Sequence, residues 1–127
     1  MISLNKIDII GNLGSEPELR FTSSGKPVAS FSVATNRSYT KDSEKKTDTE
    51  WFTVVTWNRL AENCNQYLTK GQLVYVSGRV ALNKWEKKDG GQASRMEIIA
   101  YNVIFLSNQK NESTSEASEL EPEDLPF

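Results

Sequence analysis

Between Lys6 and Leu106 the apolar positions recur mostly with a period of two, the pattern of strands with one buried face. Lys6–Gly14 is rich in β-branched residues and stops at a glycine. Val28–Asn36 alternates, with Ala29, Phe31 and Val33 on one face and small or polar residues mostly on the other. Glu50–Trp57, Leu73–Val80 and Arg95–Leu106 are also β-rich. Breaks fall at Ser23–Pro27, at the polar stretch Thr40–Asp48 and at Asp89-Gly90-Gly91. The last predicts a hairpin turn, because glycine accepts positive φ; Thr40–Asp48 reads as a solvated, mobile loop. One segment departs from the alternation. Leu60, Ala61, Cys64, Tyr67 and Leu68 share one face at helical spacing, which predicts a short helix capped by Asn58 and closed by Gly71 at C′.

The expected order is strand, strand, strand, helix, strand, strand. An all-β, five-stranded barrel with one short helix between its third and fourth strands is the layout of an OB-fold. Such barrels often bind single-stranded nucleic acid on an exposed face, but architecture alone does not decide function. The chain's 127 residues suffice for one such domain, here placed at residues 1–106. Residues 107–119 contain a single small apolar residue, Ala117, and predict a disordered linker to a terminal segment, residues 120–127.

Composition narrows the chemistry. The chain has no histidine and one cysteine, Cys64. That excludes Ser-His-Asp and Cys-His machinery, His-ligated metals, multi-Cys zinc sites and an internal disulfide. Asp42, Glu44, Asp48 and Glu50 are interspersed with Lys41, Lys45 and Lys46, and their spacing does not match a calcium loop. Gly11-Asn-Leu-Gly14 lacks the lysine of a phosphate loop and the third glycine of a dinucleotide fingerprint, so it reads as a turn. Cys64, on the apolar helix face, reads as core. The expectation is a protein with no catalytic residues, no metal and no cofactor. Met1–Lys6 shows no apolar signal run and no stretch is long enough to span a membrane, so the expected location is cytoplasmic.

The net charge of -2 conceals a division. Residues 1–110 hold all 15 Lys and Arg against 11 Asp and Glu, a net of +4; residues 111–127 hold six acids and no base. A basic body with an acidic arm suits a polyanion binder. Aromatic residues sit among the cations. Trp51 and Trp57, six apart on one strand, fall on one face, opposite Phe52 and Val54. Tyr39 lies between Arg37 and Lys41, Arg59 follows Trp57, and Lys84, Lys87 and Lys88 surround Trp85. Any one of these fits an ordinary core ring or solvated lysine; their interleaving predicts a groove where bases stack on rings while cations follow phosphates. At the other end, Asp124-Leu125-Pro126-Phe127 places two apolar side chains and an α-carboxylate behind an acidic run. This is a peptide hook for an apolar pocket rimmed by Arg or Lys.

These stretches together resemble the bacterial single-stranded DNA-binding protein family. Leu4–Arg20, Phe31–Asn36, Thr49–Phe52, Leu60–Glu62, Tyr67–Gly71 and Val74–Arg79 carry the resemblance through the body, and Asp124–Phe127 carries it at the end. The resemblance implies a homotetramer of OB-folds around which single-stranded DNA wraps in replication, recombination and repair, associated with the nucleoid. It implies base stacking at Tyr39, Trp51, Trp57 and Trp85 and basic family positions at Arg59, Lys70 and Lys84; Arg37, Arg79, Lys87 and Lys88 join these as expected phosphate contacts. It places Phe52 at a subunit interface, and it assigns the recruitment of partner enzymes to Asp124, Leu125, Pro126 and Phe127. Ala81 and Asn83 stand where relatives often have arginine. An RNA-binding or primosomal-type OB protein would share the body without needing the acidic hook. An enzyme or pure adaptor on the same scaffold would leave the interleaved rings unexplained.

Overall fold

A computed structural model describes residues 1–107; apart from Ser107, which ends the last strand, the calls on the linker and on the 120–127 tip, including Asp124, Leu125, Pro126 and Phe127, lie outside the described residues. The elements are β1 (Ile7–Leu13), β2 (Glu18–Phe21), β3 (Pro27–Lys41), β4 (Glu44–Trp57), α1 (Asn58–Tyr67), β5 (Leu73–Glu86) and β6 (Gln92–Ser107). β1, β5, β6, β4 and β3 are neighbours in that order, and β1 pairs again with β3 to close the barrel. All pairings are antiparallel except β4 with β6, which run parallel. The five predicted strands are therefore the barrel, and the fold is all-β with one helix.

Alternation decides which side chains fill it. Phe31 and Val33 of β3, Val54 of β4, Val74 and Val76 of β5 and Ile98 of β6 are buried together with Leu13. α1 covers one end of this core with Ala61, Cys64 and, just past its terminus, Leu68, all buried. Beneath the helix the buried Thr56 hydroxyl donates to the Ala29 carbonyl at 3.0 Å. Burial pushes the Cys64 thiol up to about 11, with a hydrogen bond to Thr56 opposing the shift. Phe52 lies on the inward side of β4, half-buried against the core cluster, while its neighbour Trp51 points outward. Between the neighbouring strands β1 and β5 the Tyr75 hydroxyl donates to Asp8 Oδ1 at 2.7 Å. That bond, then one from Ser77, holds the Asp8 carboxyl below the usual carboxylate range.

Several local expectations are corrected. Thr40–Asp48 is not a loop: β3 and β4 stay paired to Lys41↔Glu44 and reverse at Asp42-Ser43, both at positive φ. A polar sequence forms strand here because neither face of this ribbon touches the core, so there is no apolar alternation to display it. The helix start also differs. β4 runs directly into α1, so the N-cap is Trp57, without a side-chain cap, and Asn58 makes the reversal at φ 58. At the other end α1 stops at Tyr67, with Leu68 as its C-cap. Gly71 instead donates its amide to the Leu13 carbonyl at 2.9 Å, which pins the following turn to β1. Finally, β2 is a sixth, short strand that the pattern did not display; it forms a hairpin with the start of β3 through Glu18↔Ser30 to Phe21↔Pro27.

Gly11-Asn-Leu-Gly14 is not a free turn. At Gly11 a Cβ would collide with the Ala34 backbone, so glycine is what permits β1 to approach β3 where the barrel closes.

Candidate nucleic-acid interface

The registers define a continuous outer surface across β3, β4, β6 and β5. One row reads Ser32, Thr53, Glu97, Ala81 and the next Ser30, Val55, Ile99, Arg79. These are the positions that alternate away from the buried Phe31, Val54, Ile98 and Gly78. Trp51 and Trp57 bracket the two rows on β4, where they pair with Ala34 and Val28. They are 62% and 38% exposed. Trp85, 45% exposed, stands on the same side farther along β5, beside Ala93 of β6. Three indoles thus share one wall of the barrel, as expected for Trp51 and Trp57 from their spacing.

Between Trp51 and Trp57 the surface sinks into a trench of about 400 Å³. Ser30, Ser32 and Thr53 line its base, Glu18 and Arg20 of β2 stand on one side and Arg95 of β6 on the other. Small hydroxyl side chains on β3 are what leave this space beside the two rings. The six-residue separation sets the two rings about 20 Å apart at the rise of an extended strand, and the trench lies in the rows between them. The Trp51 ring is seated on Gly14, where any Cβ would strike it.

Two aromatic residues carry a cation on one ring face. The Arg95 guanidinium lies 5.8 Å from the Trp85 ring centroid and 3.2 Å from Glu97 Oε2, and the Asn83 amide donates to that same oxygen at 3.2 Å. The Arg37 guanidinium lies 5.0 Å from the Tyr39 centroid and bonds Asp48 Oδ2 at 3.1 Å. Tyr39 and Arg37, however, alternate in phase with Phe31 and Val33 along β3, so they occupy the face of the β3–β4 ribbon opposite Trp51 and Trp57. The structure does not bring all four expected stacking residues onto one surface.

The remaining cations divide similarly. Arg79 is exposed on the outer wall, one row from the trench. Lys84 alternates to the face opposite Trp85, in phase with Leu82 and Glu86. Lys87 and Lys88 are exposed in the turn between β5 and β6, closed by Lys87 N–H to Gly91 O at 2.7 Å. Arg59 lines a shallow groove between α1 and Leu19 of β2, and Lys70 is exposed in the turn after the helix. Among the described residues none of these six forms an ion pair. Sequence reasoning missed Arg20 and Arg95. Arg20 lies on the strand that went undetected, and Arg95 reaches the trench only through the pairing of β4 with β6, which no local pattern displays.

Residues 4–106 match the model of the single-strand binding protein family. Relatives include a single-stranded DNA-binding protein of Neisseria meningitidis serogroup A, 37% identical over 88% of this chain and 65% of its own length. Another, from Thermotoga maritima, is 39% identical over 94% of this chain and 85% of its own. The chain thus spans just under two thirds of the Neisseria relative. Among solved structures, a Plasmodium falciparum SSB complex with ssDNA superposes with a TM-score of 0.76 at 35% identity, covering 84% of this chain and 98% of that one.

Proposed function

Because the chain belongs to the single-strand binding protein family, we propose that it is a sequence-tolerant single-stranded DNA-binding protein, with no catalytic step, that receives unpaired bases on its outer wall. The observation that carries this is the shared exposure of Trp51, Trp57 and Trp85 on one side of the barrel, two of them flanking a trench. Stacking on such rings is worth about 1–3 kcal/mol per base and accepts any base, since every base has a π-face. Arg79, Lys87 and Lys88 supply phosphate contacts around this wall, Lys84, Arg59 and Lys70 carry them onto neighbouring faces, and Arg37 and Tyr39 extend binding onto the β3–β4 arm.

In this reading the protein protects exposed strands in replication, recombination and repair, in the cytoplasm and on the nucleoid. Asp124, Leu125, Pro126 and Phe127 recruit partner enzymes at the end of a linker, residues 107–119. The working unit is a homotetramer. Support comes from the exposed apolar side chains of Tyr101, Ile104 and Leu106 on β6, which gain cover when copies associate.

Titration with oligo(dT) while following tryptophan emission tests the DNA reading. Saturable binding with strong quenching is expected. Saturable binding without quenching would move the interface away from the three indoles, and tighter binding of poly(U) than of poly(dT) would favour an RNA-binding protein instead.

A further inference from the structure

Among the described residues Arg95 is the one cation that touches both an indole and the trench, and neither its sequence context nor the family resemblance marks it out. Its guanidinium is held on two sides, by the Trp85 ring at 5.8 Å and by Glu97 Oε2 at 3.2 Å. The Glu97 side chain is only 11% exposed and is itself fixed by Asn83, whereas the Arg95 side chain is 54% exposed and lines the trench. A guanidinium has five N–H donors in a planar fork, and one contact to Glu97 leaves the others available. The opposite side of the trench carries Glu16 and Glu18 beside Arg20, a poor place for phosphate.

Resting on the DNA reading above, we propose that Arg95 is a phosphate-binding residue that leads a single strand from Trp85 into the trench between Trp51 and Trp57. Glu97 is its positioning residue. The strand's backbone then runs along the β6 side of the trench, with bases turned toward the hydroxyl-lined base and the flanking rings. An arginine already aligned by a ring and a carboxylate loses little side-chain freedom when it meets phosphate.

The test uses the full chain and oligo(dT) at several salt concentrations, with the unmutated protein first. Failure of that protein to bind would overturn the DNA reading and leave nothing for the variants to measure. If it binds, Arg95→Ala is expected to weaken binding about tenfold at low salt, the size of one lost charge-assisted hydrogen bond. It should also make the log–log salt slope shallower by about 0.7, the value for one phosphate on a single strand. Arg95→Lys should restore the slope. Glu97→Gln should weaken binding in the unmutated background and have no weakening effect in Arg95→Ala, because a positioning residue acts through the group it positions. An unchanged slope in Arg95→Ala, or an equal effect of Glu97→Gln in both backgrounds, would overturn the proposal. Circular dichroism confirms folding; should Arg95→Ala be unfolded, Arg95→Gln replaces it under the same criteria.

Discussion

The six-membered ring of Trp51 rests against Gly14, in the space where any other residue at that position would place its Cβ. An exposed indole is usually free to change rotamer; this one has its seat set by the end of β1, a strand remote in sequence. Gly14→Val should therefore push Trp51 out of alignment without touching the core. The expected result is a protein with normal circular dichroism, weaker oligo(dT) binding and reduced tryptophan quenching. Unchanged quenching would show that the ring's seat is irrelevant to binding.

Tyr39 and Trp57 should respond differently to oligonucleotide length, because they occupy opposite faces of the β3–β4 ribbon. Trp57→Ala is expected to cost about 1–3 kcal/mol with a short oligo(dT) that fits the trench. Tyr39→Ala should leave that short ligand unaffected and weaken only a long one able to pass around the arm. Titrations at two lengths separate the residues, and an equal loss at the short length would mean that one surface holds both.

Acidic residues 111–127 and the basic body predict competition between tail and DNA. Removing residues 120–127 should tighten oligo(dT) binding at low salt and make no difference at high salt, where screening abolishes the attraction. Equal affinities at low salt would end this idea.

Acidification should reveal the Asp8–Tyr75 bond. Asp8 has a depressed pKa in the folded protein, owing first to the Tyr75 hydroxyl. A carboxyl depressed in this way favours the folded state above its ordinary pKa, and the benefit disappears as pH falls through the folded value. Tyr75→Phe should raise the Asp8 pKa toward the ordinary carboxylate range, seen by NMR titration of its carboxyl carbon. It should also reduce the stability difference between pH 7 and pH 3. An Asp8 titration that does not move would reassign the shift to Ser77 and Lys6.

Cys64 is sealed under α1 and its thiol is pushed up to about 11. Alkylation at pH 8 should be slow in the native state and rapid after denaturation, since the thiolate is the nucleophile. Fast native labelling would mean that the helix opens readily.

The barrel was legible where burial imposes alternation. Phe31, Val33, Val54, Val74 and Val76 all face inward as their spacing requires, and Leu60, Ala61, Cys64 and Leu68 cover the core end, while Tyr67 of the same expected face stays exposed. Legibility failed where no face is buried. The Thr40–Asp48 ribbon is held by its ladder and by pairs such as Asn36–Thr49 and Arg37–Asp48, which leave no apolar rhythm in the sequence. It failed again where register between distant strands matters. The row joining Ser32, Thr53 and Glu97 depends on a parallel pairing of β4 with β6 that no local pattern announces, so the trench and Arg95 emerge only from the fold. Phase along β3 does put Tyr39 opposite Trp51, but that inference needs the strand to continue past Asn36, which the polar sequence disguised.

That parallel seam has a kinetic consequence. Hairpins β2–β3, β3–β4 and β5–β6 join chain neighbours and can zip early, whereas Thr53–Val55 must find Glu97–Ile99 across the intervening helix and strand. The two banks of the trench thus belong to separate hairpins and are joined by a long-range pairing. A bound oligonucleotide would act as a suture over this join, slowing amide exchange there more than in the outlying arms.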